Sequence, residues 1–121
     1  MIVFHEGVSF RYLEESMVRV LRLAAIWSSA HPGVDVWVTS ANDRQHSERS
    51  LHYRAGGLAV DLQTSTVPPL SPETERLSGE ALRDMRSLTR YLRGKLDDEG
   101  YDLVHGSAQH WRHLHVEFDV K

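Results

Sequence analysis

The chain has 121 residues, no cysteine, and 17 acidic against 14 basic side chains, a formal charge of −3. That length allows one domain with its own core but not two. The missing thiols exclude disulfides and thiolate metal sites, and the mild acidity gives no reason to expect nucleic acid or an anionic membrane as partner.

No stretch approaches the roughly 20 apolar residues that a membrane span needs. Residues 1–6 lack the basic and apolar blocks of a signal peptide. The protein is therefore expected to stay in the cytoplasm where it is made, unless another factor delivers it. Residues 2–4 carry a weak signal for a short edge strand. Ser9 suits an N-cap for a helix reaching about residue 29, because Phe10, Leu13, Met17, Val20, Leu21 and Ala24 recur at three- and four-residue steps. His31-Pro32-Gly33 ends that pattern.

Residues 34–39 alternate and are rich in β-branched side chains, which predicts a strand. Residues 40–49 are polar and read as an exposed loop. A second strand is expected over 58–63, with Leu58, Val60 and Leu62 on one face and Ala59 and Asp61 on the other. Pro68-Pro69 marks a loop. Ser71-Pro72 offers a capping hydroxyl followed by proline at the first helical position. From there Leu77, Ala81, Met85, Leu88, Leu92 and Leu96 hold a helical stripe to about residue 98, interrupted by Gly79 and Gly94 and stopped by Gly100. Residues 101–105 and 113–120 complete the strands. In the last, Leu114, Val116, Phe118 and Val120 face one way, and His113, His115, Glu117 and Asp119 the other. These elements predict one α+β domain: a mostly antiparallel sheet of about four strands with two helices packed on one face. Trp27 and Trp37 are expected in the core, and Trp111 either lines a cleft or simply packs.

Two stretches bear the chemistry. Residues 50–62, Ser-Leu-His-Tyr-Arg-Ala-Gly-Gly-Leu-Ala-Val-Asp-Leu, set His52 and Asp61 at the two ends of a glycine-containing turn. A carboxylate in the middle of a strand is expensive to bury unpaired. Residues 113–120 supply imidazoles at alternating positions. Two histidines and one aspartate meet the ligand count of a catalytic zinc site, which leaves the fourth position to water. A dication would also neutralise Asp61. By spacing alone the alternatives stay open: His52 as a surface loop histidine, Asp61 as a partner for an arginine, His115 as a solvated strand residue. His5, His31 and His105 have no role beyond ordinary structure.

Ser50-Leu-His-Tyr, Gly57-Leu-Ala-Val-Asp-Leu62 and the distant His113-Leu-His-Val-Glu-Phe118 resemble the zinc peptidases of the D-alanyl-D-alanine carboxypeptidase and hedgehog-like group, in particular its small phage and bacterial members. The resemblance covers about residues 34–62 and again 101 to the end. It implies that group's fold and zinc held by His52, Asp61 and His115, with Ser50 supporting the first ligand at the edge of the substrate site. It further implies hydrolysis of peptide bonds in peptidoglycan stem peptides by a metal-activated water. His113 is then the first choice for the general base and His110 the second; Glu117, on the same strand face, is the third. Arg44 and Arg49 lie in the loop before the first ligand, and an arginine fork there suits a substrate carboxylate, with Arg44 the residue assigned to it. A phage lysis system would bring such an enzyme to the cell wall. Two departures stand out. Asp61 lies nine positions beyond His52, a longer spacing than is usual in that group, and residues 106–112 contain no acid before the last ligand. The second departure allows a rival reading, a zinc-containing binding module or phage structural component that does not cleave.

Overall fold

The computed structural model describes residues 1–5, 15–41, 59–69, 71–72, 74–97, 99–106 and 111–118. Among the described residues, five strands and two helices follow one another: β1 (Ile2–Phe4), α1 (Glu15–Ser29), β2 (Val36–Ala41), β3 (Ala59–Thr64), α2 (Gly79–Leu96), β4 (Tyr101–Val104) and β5 (Leu114–Phe118). The class is α+β. The strands form one mixed sheet in the order β1-β2-β3-β5-β4. β1 runs parallel to β2, and every other pair is antiparallel.

The sheet thus has five strands rather than about four. The weakly signalled residues 2–4 do pair, and they pair parallel because α1 intervenes between β1 and β2 in the chain. A parallel neighbour needs a crossover of that kind, which a tight hairpin cannot supply.

Alternation decides which face meets the helices. Val36, Val38, Val60, Leu62, Leu114 and Val116 are fully buried and join Met17, Val20, Ala24 and Trp27 of α1 with Ala81, Met85, Leu88, Leu92 and Leu96 of α2 in one core. Both helices therefore cover the same face. Each fully buried Val or Leu contributes about 1.5–3 kcal/mol relative to exposure. Trp27 also donates its indole N–H to Ser87 Oγ at 3.1 Å, which ties the two helices at the core's rim. Across their exposed ends, Arg19 grips Glu99 through two 2.9 Å hydrogen bonds.

Helix α2 starts later than Ser71-Pro72 predicts. Ser71 closes a turn by donating its main-chain N–H and its hydroxyl to Pro68 O, and Glu75 N–H donates to Pro72 O. Leu77 is 5% exposed and sits in the core, but lies before the helix begins. Ser78 has φ −140° and ψ 170°, and Gly79 has φ +59°. A helix cannot run back through a residue of positive φ, so α2 begins there. The expected N-cap Ser9 and the residues 6–14 after β1 lie outside the described residues.

Trp37 corrects a second expectation. Its neighbours Val36 and Val38 fill the core, so Trp37 points to the opposite face and is half-buried there. Among the described residues, no helix is long and apolar enough to cross a membrane.

Candidate metal centre

The face of the sheet opposite the helices carries Asp61, His115 and Glu117. Register places Asp61 of β3 directly opposite His115 of β5, and Ala59 opposite Glu117. Val104 of β4 lies on the far side of His115. Directly opposed residues point to the same face. The Asp61 and His115 side chains therefore meet, with Oδ1 and Nδ1 2.7 Å apart. The other ring nitrogen, Nε2, lies 3.3 Å from Glu117 Oε1. An imidazole set between two carboxylates is the result. Both Asp61 and His115 make further contacts beyond these two.

A bulge sits beside the pair. β2 matches Val38 to Leu62 and Ser40 to Asp61, so Thr39 is the extra residue. Its hydroxyl reaches the main-chain O of Asp61 at 3.4 Å. Such bulges bend a strand locally and re-aim side chains.

Electrostatics follow from the geometry. Burial alone would pull the His115 pKa below its ordinary value. The hydrogen bond and charge of Asp61, with Glu117 adding to both effects, outweigh that and raise it. The two carboxylates thus stabilise the imidazolium form, which can donate at both nitrogens.

The expected donors divide cleanly. Asp61 and His115 are brought together. His113 immediately precedes β5, is half-buried, and alternates onto the face of His115. His52, Ser50, Arg44 and His110 lie outside the described residues. Among the described residues, no group of three or more His, Asp or Glu side chains gathers at one metal position. The donor set itself suits zinc: a neutral imidazole nitrogen and a carboxylate oxygen are both zinc ligands. Glu117 on Nε2 would hold the tautomer that leaves the Nδ1 lone pair on the Asp61 side.

Sequence reasoning missed the neighbours of this pair. Trp37 lies opposite Gln63, two residues along β3 from Asp61 and on the same face. Gln63 is 2% exposed. The His5 ring meets the Trp37 indole edge-on at 4.8 Å. Among the described residues, His5 Nε2, Trp37 Nε1 and Gln63 Oε1 are buried without a hydrogen-bond partner. Each such orphan costs about 1–3 kcal/mol. A row of three beside a candidate site supplies polar groups ready for a ligand or an ordered water. Only the register reveals that row, since nothing local in the sequence links residues 5, 37 and 63. Two further described histidines contact tryptophans. His31 stacks on Trp27 at 4.0 Å and bonds Trp27 O, and His105 Nε2 bonds Trp111 O at 2.8 Å.

No model of a known protein family matches the chain, and no curated protein matches it.

Proposed function

We propose that the open face of the sheet holds a zinc ion through His52, Asp61 and His115, and that the protein is a zinc-dependent peptidase acting on peptidoglycan stem peptides. The observation that carries the reading is the 2.7 Å contact between Asp61 and His115, made across two strands by residues 54 positions apart, with Glu117 on the outer nitrogen. The likeness of residues 50–62 and 113–118 to the D-alanyl-D-alanine carboxypeptidase and hedgehog-like group supplies the third ligand, the metal and the substrate class.

When bound, zinc supplies a Lewis acid for a carbonyl and lowers the pKa of a water to about 7. The chain's own residues do the rest. Asp61 and His115 bind. Glu117 orients the His115 ring from its far side. His113, or His110 in its place, takes a proton from the attacking water and returns it to the leaving amine. Arg44 holds a substrate carboxylate as a fork, and Ser50 steadies the first ligand at the edge of the substrate site.

A non-cleaving zinc module is the second reading, favoured by one feature: residues 106–112 offer no acid to act as base. Metal content by elemental analysis and product analysis together separate the two. The zinc-loaded protein is expected to release D-alanine or cut stem peptides from peptidoglycan fragments, and Asp61→Asn and His115→Ala are expected to lose both metal and cleavage. Full zinc occupancy without any product would leave the binding module. A parent chain that binds no more zinc than the His52→Ala and His115→Ala variants would end both readings.

A further inference from the structure

A separate cavity of about 610 Å³ opens between the C-terminal half of α2 and the β4–β5 connection, and neither Asp61 nor His115 lines it. Its walls carry Arg86, Arg90 and Arg93 together with His105 and Trp111; Asp97 is the one acid among the described lining residues. The arginines converge for a reason written in α2. Arg83, Arg86, Arg90 and Arg93 recur at steps of three, four and three, which sets them on one helix face over about 15 Å. All four are exposed. They are four of the 14 cationic side chains of an otherwise acidic protein. A smaller cavity of about 360 Å³ continues along the same face and shares Arg86 and Arg90.

The indole wall is held in place. His105 Nε2 donates to the Trp111 carbonyl at 2.8 Å, and the His105 ring meets the indole nearly perpendicular. A Cβ added at Gly106 would lie 3.5 Å from the indole, in van der Waals contact, so the chain passes close against the ring. Arg76 stands over the indole, 5.5 Å from its centroid. Arg93 is partly occupied, donating to Leu103 O at 3.2 Å. Arg83 lies 3.9 Å from both Glu80 and Asp84. Among the described residues, Arg86 and Arg90 have no acidic partner within ion-pair distance. An ordinary solvated helix face would scatter its charges into open water. Here two uncommitted guanidinium groups and a third, partly engaged one border a concavity of ligand size that has a fixed aromatic wall.

We propose that this cavity binds a small organic phosphate, with a flat ring resting on Trp111 and the phosphate charges on Arg86, Arg90 and Arg93. Phosphate fits better than a lone carboxylate, because it brings more negative charge and three acceptor oxygens to planar, fork-shaped donors. The proposal does not rest on the zinc reading, since among the described residues the two sites share none.

Isothermal titration of the full chain with ATP as the probe, in the presence of a chelator, tests it. One-to-one saturable binding is expected. Adenosine alone and inorganic pyrophosphate alone should each bind at least tenfold more weakly. Arg86→Gln/Arg90→Gln should weaken ATP binding at least tenfold with an unchanged circular dichroism spectrum, and Trp111→Leu should weaken ATP but not pyrophosphate. Arg22→Gln, on the exposed side of α1, should change nothing. Absence of saturable binding, or an equal loss in Arg22→Gln, overturns the site. Tighter binding of a ten-residue thymidine oligonucleotide than of ATP, lost in the same double variant, overturns the small-molecule assignment in favour of a phosphodiester polymer.

Discussion

His115 sits where two carboxylates can share one imidazolium, and this gives the metal-free protein a pH dependence of definite sign. Its folded pKa is raised by Asp61 and Glu117 above the ordinary value of 6.5. The stabilisation is therefore fully present below about pH 6.5 and is lost as pH rises through the folded value. Urea midpoints of chelated protein are expected to fall over that interval, and Asp61→Asn should flatten the curve and lower the His115 titration midpoint seen by NMR. Zinc and proton compete for the same nitrogen, so metal affinity should run the opposite way and strengthen with pH. Glu117→Gln tests the outer contact. It leaves both ligands in place, yet zinc affinity by competition with a chromogenic chelator should drop about 10–100-fold. An unchanged affinity would make Glu117 a bystander. Strand alternation in the sequence already set Asp61 and His115 on outward faces. It could not make them partners, because register depends on β3 pairing with β5 and skipping over the intervening helix and β4.

At the scale of elements, the two glycines of α2 make opposite predictions. A Cβ at either Gly79 or Gly94 would meet nothing within 4 Å, so sterics do not distinguish them. Backbone does. Gly79 has φ +59°, and Gly79→Ala should destabilise by about 1 kcal/mol through strain at the helix start. Gly94 lies inside the helix, and Gly94→Ala should stabilise by roughly 0.5–1 kcal/mol. Equilibrium urea unfolding of the pair reads the difference directly. The same contrast shows what periodicity could report. The stripe from Leu77 to Leu96 was legible, and each of its members is buried. The start of the helix was not, because Ser71-Pro72 is a sound helix signal that the turn on Pro68 O diverts. Leu77 reaches the core without being helical, and no periodic reading separates that from one more turn. Trp37 fails in the expectation for a related reason: an aromatic residue in a strand is assigned to the core on size, whereas alternation sends it to the face of Asp61 and Gln63.

The whole molecule divides its labour between two faces of one sheet, with both helices spent on the apolar one. The opposite face carries Asp61 and His115, and residues 42–58, which contain His52, follow β2 and precede β3 in the chain. If His52 is the third donor, metal binding couples the connection to the sheet, and the coupling is measurable as stability. Ligand linkage gives about 2.7 kcal/mol of added unfolding free energy at a free zinc concentration 100 times the dissociation constant. Under this reading His52 acts only through the metal, so the metal-free His52→Ala variant should unfold at nearly the parent's urea midpoint. At the same free zinc concentration its added stability should collapse to a few tenths of a kcal/mol, because a site stripped to two protein ligands binds far more weakly. His113→Ala behaves differently under the same scheme. As a proton carrier and not a ligand, it should retain the zinc-dependent stabilisation and lose turnover on stem peptides. Equal zinc stabilisation in the parent and His52→Ala would remove His52 from the site and place the third ligand elsewhere in the chain, with Asp61 and His115 as the two that remain.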